Sequence, residues 1–339
     1  MKTLYYVTDH GLGHSTRTVA IVKELLRYSD VIIRSNDSYQ LLRKSLPDTK
    51  IILGPADFSP VMDLKNSMKF DKKKTTEAML SWIKKMPVLV QNESKLVQKM
   101  KPDLIVSDVS FLPIIVSKEN DIKSIVISNF MWNEVLDLPK KIKSFIHDSY
   151  ACATKIIKLP FGTKVEFKTT VSIGLAARKI TVKKDEIRKN LRVNKKQKLV
   201  LLSIGNLTNK IHYGDTQNMK IIDLSNYEKI RKLKHLNLTE GQNLINAADL
   251  VICKCGYGFI SECLTFETNF NYLLERSHKE ALGIHRDLVG HGINNEIKFE
   301  QIQKILDGKF FPENHALKLP NKTNQISKDI LRTESNRLI

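Results

Sequence analysis

The sequence predicts an α/β protein made of two doubly wound units, each a mostly parallel sheet with helices on its faces. Three observations carry that expectation. Short apolar runs alternate with helical patterns along most of the chain, the ordering of successive parallel βαβ units. Two glycine-bearing loops, His10-Gly11-Leu12-Gly13-His14 and Cys255-Gly256-Tyr257-Gly258, each stand between an apolar run and a helical pattern. The length of 339 residues suits about two domains.

In the first half, strands are expected at Leu4–Thr8, Asp30–Ser35, Lys50–Leu53, Leu104–Asp108 and Ser124–Ser128. A helical pattern runs from Val19 to Tyr28, and a longer one from Thr75 to Met100 stops before Pro102, because the residue before a proline avoids the helical region. A second set of strands is expected at Lys155–Leu159, Val171–Ile173, Leu199–Ile204, Lys220–Leu224, Leu233–Leu236, Leu250–Cys253 and Asn271–Leu274. The boundary falls in the lysine-rich stretch between Lys158 and Lys198, which also holds Pro160, Gly162 and Gly174. The units are read as residues 1–160 and 161–315, and 316–339 as a polar tail with one more helix near Ile326 to Arg332. No internal repeat or extended low-complexity segment stands out. Ligands of open α/β sheets bind beyond the carboxyl ends of the strands, so with two such sheets facing each other the site is expected in the cleft between them.

Composition narrows the class. A hydrophobic share of 42% with 27% charged residues is ordinary for a globular protein. The first residues form a strand pattern without the basic and apolar regions of a signal peptide, and no apolar run reaches the roughly 18 residues that span a bilayer. Cys152, Cys253, Cys255 and Cys263 form neither a metal pattern nor a disulfide framework. The reading is a reduced, cytoplasmic protein. Its 55 Lys and Arg against 36 Asp and Glu give a net charge of +19, which attracts anionic partners such as nucleic acid, lipid or phosphorylated small molecules. Between residues 138 and 168, Ile142, Phe145, Ile146, Tyr150, Ile156, Ile157, Leu159 and Phe161 are interleaved with lysines, a pattern that suits peripheral contact with the inner face of a membrane. Nothing resembles a nucleic-acid module, so nucleic acid is not the expected partner.

Four clusters stand at predicted strand ends. The His10 to His14 loop places Gly11 and Gly13 where backbone N–H groups and a helix dipole meet an anionic ligand, and adds histidines that exchange protons near neutral pH. Asp108, just past a buried strand, either orients a histidine acting as general base or caps the helix that starts near Leu112. Gly205-Asn206 follows the strand at Leu199 and lets backbone amides approach a phosphate. The segment from Asp249 to Glu262 is the most specific: Lys254 and the helix after Gly256-Tyr257-Gly258 suit a diphosphate, while Glu262 suits ribose hydroxyls or is a satisfied helix residue.

His10-Gly-Leu-Gly-His14 together with Asp249 to Glu262 resembles the two halves of a GT-B glycosyltransferase, of the group that includes the peptidoglycan glycosyltransferase MurG and the plant UDP-dependent glucosyltransferases. The glycosyltransferase-like region that precedes the kinase in plant L-arabinokinase is similar too. It shares the tyrosine-rich strand leading into a histidine-glycine loop, and stretches like Asp103 to Val109 and Ser128-Asn129-Phe130-Met131-Trp132. The resemblance implies that His14 deprotonates an acceptor hydroxyl with Asp108 as its partner. It also implies that Glu262 binds ribose, that Gly256 lies at the phosphate turn, and that Glu280 lies near the donor sugar. Lys254 stands where the plant enzymes carry a phosphate-binding histidine, Gly258 and Phe259 replace an Asn-Ser pair, and Gly205-Asn206 is sparser than the glycine-rich loop of the MurG group.

The expected activity is transfer of a sugar, of hexosyl or N-acetylhexosaminyl type, from a nucleoside diphosphate sugar, with UDP as the expected nucleotide. The acceptor is a hydroxyl group, lipid-linked if the basic surface meets a membrane. The displacement is inverting and needs neither metal nor cofactor, with the leaving diphosphate held by Lys254 and the backbone around Gly205 and Gly256. Two alternatives stay open: a nucleotide-sugar 2-epimerase on the same architecture, and a non-catalytic protein of this fold that binds nucleic acid or anionic lipid.

Overall fold

The computed structural model describes residues 1–8, 10–36, 39–64, 68–224, 241–310, 312, 314 and 316–334. The described chain forms two compact units. One draws on residues 1–61, 70–177 and 321–339, the other on 62–69 and 178–320.

The strands are β1 (Lys2–Val7), β2 (Asp30–Ser35), β3 (Lys50–Leu53), β4 (Leu104–Asp108), β5 (Lys123–Ser128), β6 (Lys155–Lys158), β7 (Thr170–Ser172), β8 (Lys198–Ser203), β9 (Met219–Asp223), β10 (Leu250–Lys254) and β11 (Phe270–Leu273). The helices of the first unit are α1 (Leu12–Leu25), α2 (Tyr39–Ser45), α3 (Lys72–Met100), α4 (Leu112–Glu119), α5 (Trp132–Val135) and α6 (Lys140–Ala151). The second unit carries α7 (Lys184–Asn190), α8 (Gly241–Ala247), α9 (Tyr257–Phe266), α10 (Lys279–Gly290) and α11 (Phe299–Leu306), and α12 (Thr323–Glu334) is the last element among the described residues.

β1 to β7 form one parallel sheet in the order β3-β2-β1-β4-β5-β6-β7. β8 to β11 form a second parallel sheet in the order β11-β10-β8-β9. Parallel sheets are covered on both faces, which is why these strands read as continuous apolar runs. In the first unit Leu4, Tyr6, Ile105 and Val126 pack with Met79, Ile114 and Ile146 of α3, α4 and α6. In the second, Val200, Leu202 and Ile252 pack with Ile302 and Ile305 of α11.

Of the second set of strands, those expected at Lys155–Leu159 and Val171–Ile173 belong to the first sheet, since β6 pairs with β5 and β7 with β6. The first unit therefore runs on to Ala177, and the main part of the second follows from Arg178. The tail returns to the first unit as α12, where Lys155 Nζ lies 3.1 Å from Asp329 Oδ2 and Ser327 Oγ donates to the Ile21 carbonyl at 3.3 Å. The expected strand at 233–236 lies outside the described residues. α3 starts at Lys72 rather than Thr75, because the Asp71 side chain caps it by accepting from Lys74 N.

In each sheet the strand order reverses once, between β1 and β4 and between β8 and β10. At such a point the loops leaving neighbouring strands run apart and open a crevice at the carboxyl ends. The register sets Val7 beside Asp108 in the first sheet and Cys253 beside Ser203 in the second.

Candidate functional site

Gly11, at φ 74°, turns the chain after β1 straight into α1. The helix thus begins at Leu12 and not near Val19, and His14 and Arg17 lie one turn apart on it. Asp108 ends β4 with no solvent exposure. Its reading as a helix cap does not hold: the N-cap of α4 is Phe111, without a side-chain bond. Instead its Oδ1 lies 2.7 Å from His14 Nδ1, and Arg17 donates through Nε to Oδ2 at 2.8 Å and through Nη2 to Oδ1 at 2.6 Å. Burial alone would raise the Asp108 pKa; the charges of Arg17 and His14 and their hydrogen bonds outweigh it and hold the carboxyl down to about 2. Val109, the next residue, is a β-branched side chain at φ 60°, a strained conformation of the kind found at functional sites.

His10 is placed differently. Its ring lies 5.6 Å from Trp132, 5.5 Å from Phe70 and 6.0 Å from His14. Trp132 is fixed by donating Nε1–H to buried Asp57 at 2.9 Å, and Asp57 also accepts from Thr8 Oγ1 at 2.8 Å. The structure thus puts His10 among aromatic rings beside the dyad.

In the second unit Gly205-Asn206 and Lys254 to Gly258 lie at the carboxyl ends of β8 and β10, while Glu262 is in the middle of α9 and Glu280 follows β11. Lys254 ends β10 partly buried, and that burial lowers its pKa. Gly256 is the N-cap of α9 and gives it no side-chain cap; the first turn, which starts Tyr257-Gly258, has no acidic residue. A Cβ at Gly256 would come no closer than 3.9 Å to protein, at the Lys254 carbonyl, and its φ of −143° suits any residue. Nothing in the fold demands glycine there. Gly205, at φ 64°, opens a 3-10 turn, Gly205–Lys210, and the Asn206 side chain donates to the Leu64 carbonyl at 3.3 Å. Glu280 lies in the first turn of α10, whose N-cap is His278. His278 has its pKa lowered by burial, with nearby Glu280 and Glu275 acting upward and Lys254 downward.

Glu262 is 3% exposed and grips Arg178, which donates through Nε to Oε1 at 2.7 Å and through Nη2 to Oε2 at 3.0 Å. Both readings of Glu262 left this partner out. Arg17, Asn129 and Arg178 are the residues that sequence reasoning passed over. The stretch from 138 to 168 also differs from expectation: Ile146, Tyr150, Ile156, Ile157, Leu159 and Phe161 are core residues, and Phe145 at 38% is the one among the eight with substantial exposure. Its interleaving therefore marks the buried face of α6 and strand β6, not an apolar surface. No helix among the described residues is long and apolar enough to cross a membrane. All four cysteines are free, and burial raises the Cys253 thiol to about 12, which leaves it unreactive.

The chain is 22% identical over 294 residues to the L-arabinokinase of Arabidopsis thaliana, a match covering 79% of this chain and 28% of that protein's length. Among solved structures, the glycosyltransferase VinC in complex with dTDP superposes with a TM-score of 0.59 at 11% identity, over 99% of this chain and 100% of that one. MurG of Acinetobacter baumannii does so with a TM-score of 0.53 at 13% identity, over 98% and 99%. These likenesses give the fold as GT-B, with two Rossmann-like units. A sequence model of glycosyl transferase family 1 matches residues 1–267, and the chain belongs to that family.

Proposed function

We propose that this glycosyltransferase moves a hexosyl or N-acetylhexosaminyl group from a UDP-sugar to a hydroxyl acceptor by an inverting, metal-independent displacement. The observation that carries the reading is the 2.7 Å contact between His14 Nδ1 and the ionised, fully buried Asp108 at the strand-order reversal of the first sheet. A carboxylate accepts from Nδ1–H, which leaves Nε2 to take the proton of an acceptor hydroxyl as its oxygen attacks the anomeric carbon. The bond from that carbon to the diphosphate breaks on the opposite face. His10 and its aromatic neighbours flank the acceptor.

The second unit receives the leaving group. Lys254, the amides at the start of α9 and the turn at Gly205 offer positive charge and N–H donors where the diphosphate gains charge. The open space beside Gly256 lets a phosphate approach the backbone. Glu262, fixed by Arg178, is the candidate for the ribose, and Glu280 for the sugar.

The exposed Lys72, Lys73, Lys74, Lys140 and Lys141 favour an anionic, phosphate-bearing acceptor such as a lipid-linked one at the inner face of a membrane. Lys72 Nζ lies 3.3 Å from Asp137 Oδ2, so the start of α3 meets the segment before α6. These exposed lysines support the reading of a cytoplasmic protein with peripheral contact at that face.

Calorimetric titration with UDP, GDP, ADP and dTDP and their sugar conjugates tests the donor half, followed by an acceptor screen with wild type and His14→Ala. The reading expects selective binding of UDP and its sugars, and transfer that His14→Ala abolishes. A folded protein that binds none of these nucleotides would remove the reading.

A further inference from the structure

We infer that Arg17 is a third, positioning member of the His14–Asp108 unit: its charge balances buried Asp108, so that His14 keeps its proton on Nδ1 and its lone pair on Nε2. This rests on the reading of His14 as the base, and Arg17 acts through Asp108 rather than on a substrate.

His14 Nδ1, Asp108 Oδ1 and Arg17 Nη2 form a nearly equilateral triangle, with sides of 2.7 Å, 2.6 Å and 2.7 Å. Corners of about 60° cannot hold three straight hydrogen bonds at once. The planar guanidinium fork, with Nε on Oδ2 at 2.8 Å, commits one Nη2 hydrogen to Oδ1, and the second, about 120° from the first, points well off the direction of Nδ1. Asp108 is ionised and has no proton to give, so the contact of its Oδ1 with Nδ1 is attractive only when Nδ1 carries the hydrogen. That tautomer leaves Nε2 as the basic nitrogen.

The guanidinium also balances the charge of the site. Arg17, Asp108 and a neutral imidazole sum to zero in a site where Arg17 is 3% and Asp108 0% exposed. Without Arg17 a net negative charge would stay buried, and such a site neutralises itself by taking up a proton. The proton has two places to go. On Asp108 it makes the carboxyl a donor to Nδ1 and moves the imidazole hydrogen to Nε2; on His14 it makes an imidazolium. Either way Nε2 is occupied and the base is lost. Among the described residues, the groups turned to this cluster include the His10 ring, the Tyr5 phenol that burial keeps protonated, and the uncharged Thr18, Asn129 and Phe130.

Arg17 is held in place from behind. Its Nη1 donates to Asn129 Oδ1 at 2.7 Å, and Asn129 Nδ2 donates to the Phe161 carbonyl at 3.1 Å. A Cβ on Gly162 would stand 1.9 Å from the Asn129 carbonyl oxygen, so glycine is required for this approach.

Nitrogen-15 NMR of histidine-labelled protein at neutral pH, with His14 assigned through His14→Gln, reads the tautomer directly. Wild type is expected to show Nδ1 protonated and Nε2 unprotonated. Arg17→Met, shown to be folded by circular dichroism, is expected to gain a proton on Nε2, and Arg17→Lys, which restores the charge, to lose it again. A proton on Nε2 in wild type overturns the inference even if Arg17→Met does not fold. A folded Arg17→Met with Nε2 unprotonated, or an Arg17→Lys with Nε2 protonated, overturns the role given to the charge. Nucleotide titration reads the other unit, so loss of the transferase reading and loss of this one are separate results.

Discussion

Arg178 closes a two-pronged ion pair on Glu262, Nε to Oε1 at 2.7 Å and Nη2 to Oε2 at 3.0 Å, with both side chains nearly buried. The pair joins the start of the second unit to the middle of α9, the helix whose first turn is the candidate phosphate site. Removing one partner of a buried pair leaves the other charge uncompensated, which costs about 3–5 kcal/mol. Glu262→Ala is therefore expected to lower the urea midpoint sharply, and Glu262→Gln, which keeps an acceptor for Arg178, to do so less. An unchanged midpoint in Glu262→Ala would mean that the pair does not brace α9. Lost nucleotide binding in that variant reports on ribose contact only where the protein is shown to be folded.

Asp108 predicts a pH dependence with a definite sign. Its pKa is lowered from 3.8 to about 2 in the folded state, because Arg17 and His14 outweigh the cost of burying the carboxylate. A lowered pKa stabilises the fold above the unfolded value and stops doing so as pH falls through the folded one. The contribution, about 2 kcal/mol from a shift of that size, is thus present at pH 6 and lost between about pH 4 and pH 2. Urea unfolding across that range should show wild type losing stability relative to Asp108→Asn. Parallel pH profiles for the two proteins would contradict the ionised, paired state of Asp108.

How much of this was legible in the sequence depends on the range of the interaction. Leu104–Asp108 and Leu199–Ile204 were readable as strands because a parallel sheet buries both faces and leaves an unbroken apolar run. Nothing in Lys155-Ile156-Ile157-Lys158 says which sheet it joins, since pairing with β5 is a long-range outcome. His14 and Asp108 were readable because each follows a strand that the sequence marks. Arg17 was not, since its place one turn after His14 depends on the helix starting at Leu12, and the apolar pattern begins only at Val19. Arg178 lies 84 positions before Glu262 in a stretch without periodicity. The interleaved lysines and apolar residues of 138–168 were misread because a membrane surface and a protein core select the same amphipathic pattern, and Ile146 and Tyr150 of α6 face the core.

Lys254 carries the phosphate half of the proposal. A hydrogen bond to a charged group contributes about 1.5–3 kcal/mol, so Lys254→Ala is expected to weaken UDP binding by about 10- to 100-fold. Its partly buried ammonium, with a pKa lowered by burial, gains from an incoming anion, so UDP should also raise the melting temperature of wild type more than that of the variant. Equal affinity in the two proteins, measured by calorimetry, would place the diphosphate elsewhere.

Gly256 and Gly162 separate ligand space from protein space. At Gly256 the backbone is extended and a methyl group would meet only the Lys254 carbonyl, at 3.9 Å. Gly256→Ala should therefore fold with a loss below about 1 kcal/mol, the scale of an N-cap change, yet weaken nucleotide binding because its methyl fills the space a phosphate would use. At Gly162 the same methyl would stand 1.9 Å from the Asn129 carbonyl oxygen, a backbone atom that cannot swing aside. Gly162→Ala should therefore destabilise the first unit, displace Asn129 from Arg17 and leave UDP affinity intact in whatever fraction stays folded. Denaturant midpoints and UDP titrations on the two variants give four numbers that must fall in this crossed pattern. A Gly256→Ala protein that binds UDP as wild type does would show that the glycine leaves room for nothing, and the phosphate site would have to be sought beyond the start of α9.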